Sequence, residues 1–206
     1  MLENNDKNEV MPPIPCEEKP ETWWDFTKEL FKFTILSLII VLPVRFFIAQ
    51  PFLVSGASMV PTFEDGEYLI IDEISYYFNE PQRNDVVVFR YPNNPSKYFV
   101  KRIIGLPGET VIVNDNDVMI KNKDNPEGFL LEQPFVKNLD TQTRDVERLL
   151  DHKEYFVMGD NRFASSDSRD WGPVNKKFIT GHVLVRLLPV NKITFFPGRI
   201  AENEYE

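Results

Sequence analysis

The sequence predicts a mainly β, antiparallel domain preceded by one N-terminal transmembrane helix. Past Val54, short runs rich in β-branched and aromatic residues alternate with turn residues. No stretch pairs strands with long amphipathic helices, which disfavours a parallel α/β sheet. Ahead of these runs stands FTILSLIIVLPVRFFIAQPFLV, from Phe33 to Val54, apolar apart from Arg45 and a few small polar groups. A chain of 206 residues with 42% hydrophobic content suits one core-bearing domain with an appendage.

The first residues, Met1 to about Glu21, are acidic, proline-rich and poor in large apolar side chains, a composition that cannot offset its own ordering entropy. Residues 1–29 are therefore expected to form a disordered tail. The membrane span is expected at 30–50, because a helix needs about 20 residues at ~1.5 Å rise to cross a ~30 Å hydrocarbon layer. Arg45 then lies near one end, where its stem reaches the headgroups, and Trp23 and Trp24 fall at the opposite interface. A cleavable signal is disfavoured, because a long and acidic leader stands where a short basic one is expected. The basic residues flank both ends of the run and leave its orientation open.

Residues 51–206 make up the β-domain. Its expected strands are YLIIDEI, DVVVFRY, YFVKRIIG, TVIV, DVMIK, EYFVMGD, HVLVRLLP and KITFF. TVIV and DVMIK are joined by Asn114, Asp115 and Asn116, which tolerate tight-turn geometry and predict a hairpin over 110–121. Residues 122–153 lack sustained periodicity and are expected to make an irregular excursion.

The formal net charge of −9 argues against nucleic acid as a partner. Cys16 is the sole cysteine, so no intrachain disulfide forms, and the histidines His152 and His182 sit in no metal-ligand spacing. Neither a metal nor a cofactor is expected.

Three segments carry candidate chemistry, and each has a bland alternative. Ser58 lies in SGASMVPT, a small-residue turn just after the apolar run, and glycine-flanked serines are common in ordinary loops. Lys101 lies in YFVKRIIG, where strand alternation places it with Phe99 and Ile103. Apolar neighbours favour a neutral amine and make a lysine a general base; an edge lysine that discourages aggregation reads the same way. GDNRFASSDSRDWG, from Gly159 to Gly172, packs three hydroxyls, three aspartates and two arginines after an apolar strand. That density suits either a solvated loop or an internal polar network that fixes a site.

The order of SGASMVPT, DVVVF, KRIIGLPGE and GDNRFASSDSR resembles the succession of motifs in the type I signal peptidases, and the likeness runs from about Phe33 to Phe196. The resemblance implies a signal-peptidase-type catalytic β-domain that uses Ser58 as nucleophile and Lys101 as general base. It makes Ser165 the hydroxyl that orients the lysine amine, Asp167 and Arg169 a structural ion pair, and Asp160 and Arg102 supporting residues. It also implies preproteins bearing signal peptides as partners, cut after small residues, and a lipid bilayer as the working surface. The expected location is the plasma membrane, or an internal membrane such as the thylakoid, with a single pass, a cytoplasmic N-terminus and an extracytoplasmic catalytic domain. One position departs from the pattern: Gly56 stands where some members carry a serine that helps bind the oxyanion, and Ser55 is one place earlier. A self-cleaving repressor shares the Ser/Lys pair but carries a DNA-binding module where this chain has its apolar run. A tethered β-domain without catalysis is the remaining alternative.

Overall fold

Alternation along the strands decides which side chains enter the core. The computed structural model describes residues 23–43, 50–137 and 144–200. Helix α1 spans Trp23–Pro43, 21 residues. It begins earlier than expected and takes in Trp23 to Glu29, because no proline or glycine interrupts the chain between Pro20 and Pro43. Its apolar side chains, Leu30, Phe31, Phe33, Leu36 and Ile39 among them, are exposed. Among the described residues no helix is long and apolar enough to cross a membrane. The expected span ran on to residue 50, and residues 44–49 lie outside the described residues, as does most of the expected tail.

The rest is mainly antiparallel β. In chain order it comprises β1 (Gln50–Leu53), β2 (Tyr68–Asp72), α2 (Ser75–Phe78), β3 (Val86–Tyr91), β4 (Asn94–Gly105), β5 (Thr110–Asn114), β6 (Asp117–Lys121), β7 (Phe129–Leu130), β8 (Val146–Leu149), β9 (Glu154–Met158), α3 (Ser168–Trp171), β10 (Val174–Asn175), β11 (Ile179–Leu188) and β12 (Thr194–Phe195). The larger sheet runs β1-β2-β11-β3-β4-β9-β10, with β12 on β11; the smaller runs β7-β6-β5-β8.

Strand β3 reads as an unbroken apolar run because it is buried on both faces. Val86 and Val88 pack with Val54, Met59, Phe63, Leu69 and Ile71, whereas Val87 and Phe89 pack with Ile103, Tyr155 and Val157. The hairpin β5–β6 alternates instead, burying Val111 and Val113 opposite Val118 and Ile120, and Asp115 takes a φ of +51° in its turn. These side chains meet Ile104, Phe156 and Met158, joining the smaller sheet to β4 and β9. The expected excursion over 122–153 is more regular than its sequence suggested. It supplies β7 and β8, the outer strands of the smaller sheet, which are short and largely exposed and so carry little apolar pattern.

Candidate active site

Small residues form the turn that carries Ser58. Ser55, Gly56 and Ala57 are exposed, and Gly56 adopts a φ of +95°, which residues with a Cβ avoid. Directly after Ser58 the chain is anchored: Met59 and Phe63 are 1% and 0% exposed within the core. Ser58 thus stands at the rim of a fixed point.

Lys101 lies on β4 opposite Val87 and is 4% exposed. Its Nζ donates to Ser58 Oγ at 2.6 Å and to the Val100 carbonyl at 3.1 Å. Burial lowers its pKa to about 8, against the pull of the Asp167 and Asp160 charges and with a smaller push from Arg169. Roughly one amine in ten is then neutral at pH 7, against fewer than about one in a thousand for an ordinary lysine.

Two buried ion pairs brace this contact. Arg102 Nε and Nη2 donate to Asp160 Oδ1 and Oδ2 at 2.8 and 2.6 Å, and its Nη1 donates to the carbonyls of Asn84 and Gly198. Thr62 Oγ1 donates to Asp160 Oδ2 at 2.5 Å, which fastens the pair to the Ser58 loop. Arg169 Nε and Nη2 donate to Asp167 Oδ1 and Oδ2 at 2.8 and 2.9 Å. Burial alone would push the Asp167 carboxyl up, but the bonds and charge of Arg169 and the Gly159 N–H hold it below its ordinary value.

Ser165 differs from expectation. Its hydroxyl is buried and makes no hydrogen bond to the Lys101 amine; it faces the Asp167 carboxyl and helps to hold it below its ordinary value. The amine directs its bonds to Ser58 and Val100 instead. Ser165 Oγ is nevertheless packed into the site: a Cβ on Gly159 would fall 2.3 Å from it and 2.4 Å from the Ser58 carbonyl. Only a glycine permits that approach.

Asn161 and Thr62 escaped the sequence reading. The Asn161 side chain donates to the Ala57 carbonyl and its N–H to the Ser58 carbonyl, both at 3.0 Å, so it grips the backbone on either side of the candidate nucleophile. Both residues stand inside the quoted motifs, but nothing in their type announces a partner so distant in sequence.

A cleft of about 260 Å³ opens over the pair, lined by Phe52 to Ser55, Leu69, Val88, Tyr98 to Lys101, Ser58 and Ser166. A larger depression of about 960 Å³ beside Tyr76, Leu106 and Tyr155 contains neither Ser58 nor Lys101, so its size has no bearing on this chemistry. His182 is also remote, placed between the rings of Tyr76 and Phe196. Among the described residues no group of three or more His, Cys, Asp or Glu side chains could hold a metal ion.

The chain matches the family model described as signal peptidase, peptidase S26, over residues 27–188. It is similar to a probable signal peptidase I-1 from Synechocystis sp., 35% identical over 204 residues that cover 93% of this chain and 97% of that one. It is also similar to a signal peptidase I from Bacillus amyloliquefaciens, 35% identical over 186 residues, covering 88% and 89%. A solved signal peptidase I from Enterococcus faecalis V583 aligns with a TM-score of 0.42 and 32% identity, covering 50% of this chain and 97% of that one.

Proposed function

The chain belongs to the signal peptidase, peptidase S26, family, and on that premise we propose that Ser58 is its acyl-forming nucleophile and Lys101 the base that activates it. Membership brings the cleavage of signal peptides by a serine protease. The assignment of roles rests on one observation, the 2.6 Å contact between a buried amine and a hydroxyl at the edge of a cleft. Neutral Lys101 takes the Ser58 proton as Oγ bonds to the scissile carbonyl carbon. The resulting ammonium gives that proton to the departing amine, and the C–N bond breaks to leave an acyl-serine. A water then loses a proton to the Lys101 amine and attacks the ester, the acyl–Oγ bond breaks, and the lysine ammonium returns its proton to Ser58 Oγ. The Ser58 backbone N–H serves the developing oxyanion. The Gly56 N–H does not, being bound to Asp65 Oδ1 at 2.7 Å.

The substrate lies extended. Residues Tyr98 to Lys101 of β4 pair with β3 on one side, while β9 covers the other side only from Arg102 onward. That edge of β4 accepts a peptide as an added strand beside Ser58. The cleft is walled by Phe52, Leu69, Val88 and Phe99, and in this reading it takes a small side chain before the cut. The test is a purified preparation incubated with a preprotein that has Ala at the cleavage position. Cleavage after that Ala, lowered about 100-fold or more when it becomes Leu, is expected; equal cutting of both would refute the small-residue pocket.

The chain acts at a membrane in this reading. The exposed apolar side chains of α1 and the apolar sequence between it and β1 are read as a single-pass anchor, with a cytoplasmic N-terminus and the β-domain on the far side. Confining enzyme and signal peptide to one bilayer raises the effective concentration of the cut site. In vesicles of known orientation, protease added outside right-side-out vesicles should digest the residues after Val54; protection there would overturn this topology.

A further inference from the structure

Arg144 stands two residues before β8, in the part of the chain with the least resemblance to the family motifs. Its guanidinium nevertheless reaches the segment that backs the dyad. Nη1 donates to the Ser165 carbonyl at 3.1 Å and to both carboxylate oxygens of Asp170 at 3.1 and 3.3 Å, and Nη2 donates to the Arg162 carbonyl at 2.8 Å. Each acceptor is itself part of the site's support. The Arg162 carbonyl also accepts from Arg169 Nη2 at 2.9 Å, and Asp170 Oδ2 accepts the Asp167 backbone N–H at 3.3 Å. Asp167 in turn holds Gly159, which abuts the Ser58 carbonyl.

We propose that Arg144 is a positioning residue for the proteolytic reaction, through which the smaller sheet holds residues 162–170 closed behind Lys101 and keeps its amine dry and aimed at Ser58. The inference rests on the Ser58/Lys101 reading above. A planar fork suits the task, because the acceptors are spread over two carbonyls and a carboxylate; an ammonium, as a point charge, cannot span them. When the fork is lost, the segment relaxes and water reaches the amine. Of the charged groups that face Lys101, Asp167 and Arg169 lie on this segment and Asp160 two residues before it, and burial is the largest influence on the amine. Wetting therefore carries Lys101 from about 8 back toward the ordinary 10.5.

The test measures kcat, KM and the pH profile of preprotein cleavage for Arg144→Lys and Arg144→Met beside wild type and Ser58→Ala, with rates normalised to folded protein. Both Arg144 variants should lose kcat by about 10-fold or more with KM nearly constant, and the acid limb of kcat/KM should move to higher pH. Asp170→Asn, which cuts the same link from its other end, should shift the limb the same way and serves if Arg144→Met does not fold. An unmoved acid limb, or a rise confined to KM, overturns the positioning role while an inactive Ser58→Ala leaves the dyad standing. Continued cleavage by Ser58→Ala overturns both.

Discussion

Lys101→Met is expected to abolish cleavage and, at neutral pH, to make the folded domain more stable. The loss follows from the amine's double duty, taking the proton from Ser58 and then from water; removal of a general base of this kind lowers the rate by about 10²–10⁴-fold, and Ser58→Ala should be at least as inactive. The gain follows from burial. Lowering the amine from the ordinary 10.5 to about 8 corresponds to about 3 kcal/mol of unfavourable free energy for the charged form in the folded state. The unfolded chain holds that proton more tightly, so below about pH 8 the buried amine destabilises the fold by its full amount. The penalty fades as pH rises from about 8 to 10.5 and is absent above. Methionine fills nearly the same volume without a charge. Denaturant unfolding at a series of pH values should therefore show Lys101→Met ahead of wild type by up to about 3 kcal/mol at pH 7, with the difference closing toward pH 10.5. A variant that is less stable at every pH would contradict the dry-amine reading.

The second large effect concerns Arg102 and Asp160. Both side chains are almost wholly shielded, 1% and 0% exposed, and the guanidinium also sits 4.1 Å from the centre of the Phe135 ring. Removing one partner leaves a buried charge uncompensated, which costs about 3–5 kcal/mol, whereas replacing both with apolar groups is much milder. Arg102→Met and Asp160→Leu are each expected to lower unfolding free energy by that amount, and the double variant should recover much of it. Activity responds as well, because Asp160 accepts from Thr62 and so ties down the loop bearing Ser58. Denaturant titrations of the two single variants and the double variant decide this. Single losses under about 1 kcal/mol would show that water or other groups take the missing partner's place.

The strands of the β-domain were legible wherever one face is buried. Val111, Val113, Val118 and Ile120 alternate strictly, and turn-tolerant Asp115 marks the hairpin between them. Burial on both faces hides alternation in β3, but its VVVF run is itself the mark of a central strand. Strand β1 was not separable from the apolar run before it, because helix and strand cannot be distinguished by periodicity when every residue is apolar. Strands β7 and β8 were invisible for the opposite reason, being short and exposed.

The residue types at Ser58 and Lys101 were readable from their motifs, but their distance was not. The two lie 43 positions apart and meet because the β1–β2 loop folds over β4. Thr62, Asn161 and Arg144 were unreadable in a deeper sense. Their partners are backbone carbonyls or a carboxylate far along the chain, and a backbone partner leaves no complementary residue type in the sequence. Ser165 illustrates the limit of position alone: it occupies the expected place, packed against Gly159, without making the expected bond to the amine.

The decisive measurement is a titration of the Lys101 side chain itself, by NMR of lysine-labelled protein with Lys101→Met used to assign the signal. A midpoint near 8 is expected, and it should stay near there in Ser58→Ala, since burial and not the hydroxyl is the main cause. A midpoint near the ordinary 10.5 would mean a solvated ammonium unable to take a proton at neutral pH, and the Ser58/Lys101 dyad would fall with it.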